Sequence, residues 1–573
     1  MSSPPHVLVV GGGSTGTGVA RDAAMRGFDV TLVERGTLTA GTSGRMHGLL
    51  HSGGRYAVAD RKSARECIAE NRVLRSIASH CIEATGGLFV QRPEDDASYV
   101  DEKLAGLESC NIPTTELSGR EALRREPALA DDVVRALAVP DAAIDPFRLC
   151  VANAASAEAH GATVETHVRV TDLLVEDGRI VGARVDPDDS TGTATIRADH
   201  VVNATGAWAG QIAAMAGLDV PVRPSKGAMT VTNVRPVDTV INRCRPKGDA
   251  DILVPHETTA ILGTTDVAVE DPDDFREQRW EREMLIEELS DLVPALRDAR
   301  TIRSFWGVRP LYDPSRGSGA SETSDAGSSD DPTDVSRGFS VIDHARDDRP
   351  GLTTVVGGKL TTYRLMAEHV VDHLAGRFRI DAPCRTAEQA LPGSEEPADL
   401  DAAMERFDLR SPVARRSADR LGSRTEAVLD TEGPNPVVCD CEAVTRAEIR
   451  NAIDQSADVE AVRIRTRAGM GTCQGGFCGH RIAAEFRAAT DDGRARAALA
   501  TFREERWRGQ RHECAGEQLE QAMITYAMHA MTMNHDRDRP VPDAMAVESF
   551  DGGPPDSSSD GRTDSRREDD HGD

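Results

Sequence analysis

The stretch HVLVVGGGSTGTGVARDAAMRGFDVTLVER, residues 6–35, constrains the fold more than any other part of the chain. His6–Val10 is a short apolar run, Thr15–Met25 reads as a helix, and Asp29–Val33 alternates into a second strand. Between them Gly11, Gly13 and Gly16 form G-x-G-x-x-G, where the backbone turns tightly and admits a pyrophosphate to a helix N-terminus. Glu34 ends the second strand about twenty residues on, where a carboxylate takes ribose hydroxyls. The glycines alone are weak evidence, but both strands and the acid in place make a βαβ dinucleotide unit. The expected class is therefore α/β. The motif does not separate FAD from NAD; no second unit of this kind follows, so electrons must pass to something other than a nicotinamide.

Two later segments repeat the theme of strand, glycine turn and helix. In ADHVVNATGAWAGQIAAMAG (198–217), the step Ala204–Thr205–Gly206 suits a second backbone approach to the dinucleotide. In TTVVGGKLTTYRLMAEHVVDHL, the pair Gly357–Gly358 precedes a helix expected to start near Thr361, whose amides would face the polar edge of an isoalloxazine ring.

Composition narrows the partners. The chain has 67 basic and 95 acidic residues, a formal charge of −28 that argues against nucleic acid. Residues 313–337 and 549–573 carry −4 and −5 of this, so −19 remains on the rest. Only five of the basic residues are lysine. Such a surface resists association where screening is severe, and reads as a salt-adapted cytosolic protein. The two acidic tracts are poor in apolar residues and are expected to be disordered. MSSPP runs into the first strand without a signal peptide, and no run of about eighteen apolar residues occurs. A cytoplasmic chain with no membrane span is expected.

Eleven cysteines without a secretion signal point to thiols or metal ligands rather than disulfides. Cys439 and Cys441 form C-x-C, Cys473 and Cys478 form C-x4-C, and 31 residues separate the pairs. Both pairs read as borne on loops, so four thiolates can converge on one centre. A [2Fe–2S] cluster suits this spacing better than a structural zinc ion, which more often takes C-x2-4-C twice. The other seven cysteines are scattered and read as small buried hydrophobes.

Together these stretches resemble the FAD-dependent glycerol-3-phosphate dehydrogenases, in particular the large catalytic subunit of the anaerobic three-subunit enzyme. The matching pieces include the glycine loop, GRMHGLLHSGGRYAV, DPFRL, FWGVRPL, GGKLTTYRLMAE, CDCEAVT and GMGTCQGGFCG, between residues 7 and about 480. The cysteine stretch is similar to the helical [2Fe–2S]-binding domain of bacterioferritin-associated ferredoxin, whose second pair is usually C-x-x-C. The resemblance implies a Rossmann-like FAD-binding domain with a mixed-sheet substrate domain, a glutathione-reductase-type FAD fold, plus a small C-terminal helical iron–sulphur module. It implies residues 1–385 for the oxidoreductase, 386–434 for a helical linker, 435–490 for the cluster module, 491–548 for a helical region and 549–573 for the acidic tail. It also implies oxidation of sn-glycerol 3-phosphate to dihydroxyacetone phosphate. Electrons would leave to quinone through two partner subunits, one containing flavin and the other an iron–sulphur membrane anchor, holding this chain peripherally at the cytoplasmic membrane face. Arg35, Thr42, Ser43, Leu360 and Thr361 join the expected cofactor contacts.

Flavin oxidation of a secondary alcohol needs a phosphate clamp, a proton acceptor and a carbon–hydrogen bond facing the ring. Arginine suits a phosphate dianion, and Arg55 of HSGGRY and Arg309 of GVRP match the family's substrate-binding positions. Lys359 follows the double glycine in a chain that almost avoids lysine, placing an ammonium where the reduced ring or the substrate oxygen carries charge. Lys226 in RPSKGAM is expected near the site. His51 suits the proton acceptor or a packing role, and Tyr56 would orient the substrate. Two other readings stay open: an amine or 2-hydroxy-acid dehydrogenase on the same scaffold, and a flavin and iron–sulphur redox protein without a substrate. The Met- and Ala-rich stretch 519–533 reads as an apolar helix face for packing or a subunit contact.

Overall fold

In the computed structural model, described for residues 3–187, 192–246, 248–313, 338–455, 458–514 and 517–532, His6–Val10 is a central strand of a six-stranded sheet. The strand order is 339–343, 352–357, 200–203, 6–10, 29–34, 163–166. All neighbours are parallel except the outermost Phe339–Asp343, which runs antiparallel to Leu352–Gly357. The two-residue alternation of a strand explains the unbroken apolar run. Val7 and Val9 face a helical layer that includes Val19, Ala23, Val370 and Leu374. Leu8 and Val10 face the opposite way, onto Leu173, Ile180 and Val185 of a three-stranded antiparallel meander. Helices Ser14–Met25 and Tyr363–Phe378 lie in the first layer. The second of these is entered through a single tight turn, Leu360–Thr362, so the expected helix starts two residues after Thr361.

A larger mixed sheet carries the substrate half. Val222–Thr232 pairs antiparallel with Thr301–Tyr312 along nearly its whole length, which sets Ser225 opposite Arg309 and Lys226 opposite Val308. Its core packs Leu88, Leu253, Leu262 and Trp306 against Leu285 and Leu289 of helix Arg279–Ser290. Lys226 points into this side of the sheet: its Nζ donates to Glu281 at 2.8 Å and to the Arg276 carbonyl at 2.7 Å, fully buried. It is a structural ion pair and does not line the candidate site described below, contrary to expectation.

Among the described residues from Leu400 onward, the regular structure is helical apart from the short hairpin Val437–Cys439 and Val444–Thr445. These helices enclose a core of their own, with Val438, Ile449, Val462, Ile482, Phe486, Leu499 and Phe502. The stretch expected to be an apolar helix is the helix Glu517–Thr532. No helix among the described residues is long and apolar enough to cross a membrane. Most of the acidic insert and all of the acidic tail lie outside the described residues.

Candidate active site

A cavity of about 560 Å³ opens along the carboxyl ends of the parallel strands. Gly11 carries φ +111°, and a Cβ there would meet the Ala204 carbonyl oxygen at 2.7 Å. A Cβ on Gly16 would lie 1.9 Å from the Gly11 oxygen, so Gly16 sits beneath the cavity and lets helix and turn close together. The helix that begins at Ser14 has no side-chain cap, because its N-cap is Gly13. Gly13, Ser14 and Thr15 at this helix start line the cavity, and Ser14 N–H donates to Ser43 Oγ at 3.0 Å. Glu34 accepts from Gly12 N at 2.7 Å and Gly36 N at 2.9 Å, which holds its carboxylate at the rim of the loop. Arg35 stacks over Trp208 at 4.5 Å and makes a two-pronged pair with Asp273 at 2.8 and 3.0 Å. Thr42 Oγ1 donates to the Val308 carbonyl at 2.6 Å, which ties this end to the substrate sheet. Ala204, Gly206, Gly357, Gly358 and Leu360 line the same wall. Thr361 stands behind it, where its hydroxyl accepts from His51 N–H at 3.1 Å.

The other end of the cavity collects polar side chains. Lys359 Nζ donates to Ser63 Oγ at 2.9 Å and lies 4.6 Å above the Tyr56 ring. His51 is 5.5 Å from that ring and 6.3 Å from the His47 ring. Arg309 reaches in from the paired strands. Its guanidinium donates to Ser225 Oγ and Thr264 Oγ1, both at 3.0 Å, and to the Thr265 carbonyl at 2.7 Å, with the Asp266 carboxylate at 3.5 Å. The cavity is thus lined at once by the glycine loop, His51, Tyr56, Arg309 and Lys359.

Arg55 is not brought into it. Gly53 at φ +93° turns the chain, and the Arg55 guanidinium donates to Asp251 at 2.7 Å and the Gly248 carbonyl at 3.1 Å. With only 11 % of the arginine side chain exposed, Asp251 has claimed the charge that the sequence assigned to phosphate. His47, Ser63, Ser225 and Thr264 were not singled out by sequence reasoning. His47 and Ser225 left a signal, by falling in the segments GRMHGLLHSGGRY and RPSKGAM. The His47 Nδ1 accepts from Leu49 N–H at 3.2 Å, so the neutral ring holds its proton on Nε2 and offers a donor rather than a base.

The four cysteines converge at the other end of the chain. Cys439 ends a strand and Cys478 opens the helix Cys478–Ala489, so only Cys441 and Cys473 are on loops, a change from the loop-borne expectation. Gly471 permits the approach, since a Cβ there would lie 2.4 Å from Cys441 Cβ. The thiols stand in two pairs, Cys439 with Cys478 and Cys441 with Cys473. The neighbouring Cys478 thiol holds Cys439 down at about 7, and the same contact together with burial pushes Cys478 up. Among the described residues no three His, Cys, Asp or Glu side chains close on a point for one metal ion. Two pairs fit a [2Fe–2S] cluster, two thiolates to each iron, better than zinc, which needs all four at one point. Thr472 Oγ1 lies 3.6 Å from Cys441 Sγ as an outer-shell donor.

Comparison with known proteins accords with both centres. Residues 6–364 match the family of FAD dependent oxidoreductases, and residues 437–486 match the BFD-like [2Fe-2S] binding domain. The chain is 59 % identical to a subunit of the anaerobic glycerol-3-phosphate dehydrogenase of Haloferax volcanii, over 96 % of this chain and 95 % of that one. It is 41 % identical to the corresponding subunit of the Escherichia coli K12 enzyme, over 91 % and 96 %. In fold it is similar to the FAD complex of glycerol-3-phosphate dehydrogenase from Bacillus halodurans, with TM-score 0.59, 21 % identity and coverage of 93 % and 95 %. Glycine oxidase from Geobacillus kaustophilus shares the fold over 68 % of this chain and 99 % of its own, with TM-score 0.52 and 21 % identity. The chain therefore belongs, with these two relatives, to one subunit family of the anaerobic glycerol-3-phosphate dehydrogenases, FAD-dependent dehydrogenases that carry a BFD-like [2Fe–2S]-binding domain.

Proposed function

We propose that this chain oxidises sn-glycerol 3-phosphate to dihydroxyacetone phosphate and passes the electrons through its four-cysteine centre to partner subunits and membrane quinone. The observation that carries the reading is the single cavity lined by both the dinucleotide loop and Arg309, Lys359 and His51. When bound, FAD supplies the hydride acceptor. Arg309 holds the substrate phosphate, since its planar fork matches two phosphate oxygens while Ser225 and Thr264 fix its plane. His51 takes the proton from the C2 hydroxyl, and Tyr56 orients that hydroxyl. Lys359, steadied by Ser63, places positive charge where negative charge develops. Arg55 serves from behind: paired with Asp251, it braces the turn that presents Tyr56. The Haloferax volcanii and Escherichia coli relatives are each named as a subunit, and no spanning helix occurs among the described residues of this chain. Both facts fit a catalytic part that reaches the membrane through others.

The test is the anaerobic visible spectrum of the purified chain before and after addition of sn-glycerol 3-phosphate. Bleaching of the flavin band, with partial bleaching of an iron–sulphur shoulder, is the expected result. A flavin that ignores this substrate but responds to a 2-hydroxy acid or an amine would replace the substrate assignment.

A further inference from the structure

The iron–sulphur module packs against both the FAD and the substrate halves. A second cavity, about 250 Å³, lies between them and shares Ala40 and Met46 with the first cavity. On its far side are Met470 and Gln474, the second being the neighbour of Cys473. The contacts around the rim of this cavity are what join the two centres.

One rim contact reaches the cysteine loop directly. Arg467 closes helix Val459–Thr466 in a left-handed conformation, φ +64°. Its Nε donates to the Glu442 carboxylate at 3.1 Å, and its Nη1 donates to Asp145 at 2.9 Å. All three side chains are at most 10 % exposed. Glu442 is the residue after Cys441, and its carbonyl is held from the other side by Arg420 at 2.7 Å. Asp145 belongs to the other half. It caps helix Pro146–Ala159 and follows strand Ala142–Ile144, which pairs with Leu49–Leu50 immediately before His51. A continuous path of short contacts thus runs from the candidate substrate site to the loop bearing Cys441.

We propose that Arg467 is a positioning residue that locks the cysteine loop to the FAD domain and thereby sets the rate of electron transfer from flavin to cluster. This rests on the functional reading above. The substrate gives up the hydroxyl proton to the base and two electrons with the C2 hydrogen to the flavin. The cluster takes these electrons singly, and two equivalents of a one-electron acceptor such as ferricenium remove them. Arg467 touches neither substrate nor thiol and acts only by holding Glu442 to Asp145.

The test follows flavin and cluster bands separately by anaerobic stopped-flow after mixing holoenzyme with sn-glycerol 3-phosphate. Arg467→Met cuts both arms, whereas Asp145→Asn weakens the arm to the FAD domain and the Arg148 pair, keeps an amide oxygen to cap helix Pro146–Ala159, and leaves Glu442 and the cysteine loop as they are. Flavin bleaching should keep its rate and iron content should stay unchanged. Cluster bleaching should slow by about tenfold or more, the scale on which loosening a reacting geometry acts. Arg467→Lys, which keeps the charge but not the two-armed reach, should recover only part. Trypsin should also release the module faster from the variants, a readout independent of turnover. If Arg467→Met loses iron through misfolding, Asp145→Asn decides alone. Cluster reduction at the unmodified rate in Asp145→Asn, or a fall in flavin and cluster rates by the same factor, overturns the proposal. Failure of the substrate to bleach the flavin of the unmodified chain would instead overturn the functional reading, and this proposal with it.

Discussion

Arg309 and Arg55 both sit in stretches that resemble the same family, yet their surroundings differ. Arg309 meets two hydroxyls and a carbonyl, with the Asp266 carboxylate 3.5 Å away, and lines the candidate cavity. Arg55 has Asp251 at 2.7 Å and is compensated already. Arg309→Ala should therefore lower kcat/KM by roughly 10- to 100-fold, from about 1.5–3 kcal/mol for a lost charge-assisted hydrogen bond, mostly through KM. Steady-state dye reduction checks this, and an unchanged KM would remove Arg309 from the phosphate. Ser63 shows what the residue scale hides from sequence. Ser63 lies 296 positions from the Lys359 it steadies, and no spacing rule connects them.

At the scale of elements, pattern and structure agree wherever burial alternates simply. The run at His6–Val10 is buried on both faces because helices cover one side of its sheet and the meander the other. Lys226 shows the limit of that reading. In the strand Val222–Thr232 its side chain falls on the core face, where Glu281, itself fully buried, receives it together with Trp306 Nε1–H at 2.8 Å. Lys226→Met should therefore destabilise the substrate sheet by about 3–5 kcal/mol, because Glu281 would remain buried without its countercharge. The measurement is the denaturant midpoint, with Lys226→Met/Glu281→Leu expected to recover much of the loss. A midpoint unchanged in the single variant would refute the buried pair. The cysteines differ from the loop reading for a related reason: the prolines before Cys439 and the glycines around Cys478 suggest loops, but Val437–Cys439 pairs with Val444–Thr445, and Cys478 starts a helix.

At the scale of the whole molecule, the C-terminal module is joined to the FAD and substrate halves partly by charge. Burial alone would push the Asp145 carboxyl up, but Arg148 and Arg467 outweigh it and hold it at about 2, below the ordinary 3.8. A carboxyl depressed on folding adds stability that is complete above pH 4 and is lost as the pH falls from about 4 to 2. That contribution is about 2 kcal/mol. The unmodified chain should lose this increment across that window. Asp145→Asn should lose the same step at neutral pH and show a flatter profile below pH 4, as read from thermal midpoints. Parallel acid profiles of the two proteins would contradict it. The sequence alone determined the α/β class, the dinucleotide loop and the two cysteine pairs, because strand burial, a tight glycine turn and thiol spacing are local and leave periodic marks. Only the tertiary structure decided which arginine lines the cavity, which lysine is spent on a buried acid, and how Arg467 spans from Asp145 to Glu442. Those outcomes depend on which charges meet across hundreds of residues, and a carboxylate arriving from a distant strand leaves no mark beside the residue it neutralises.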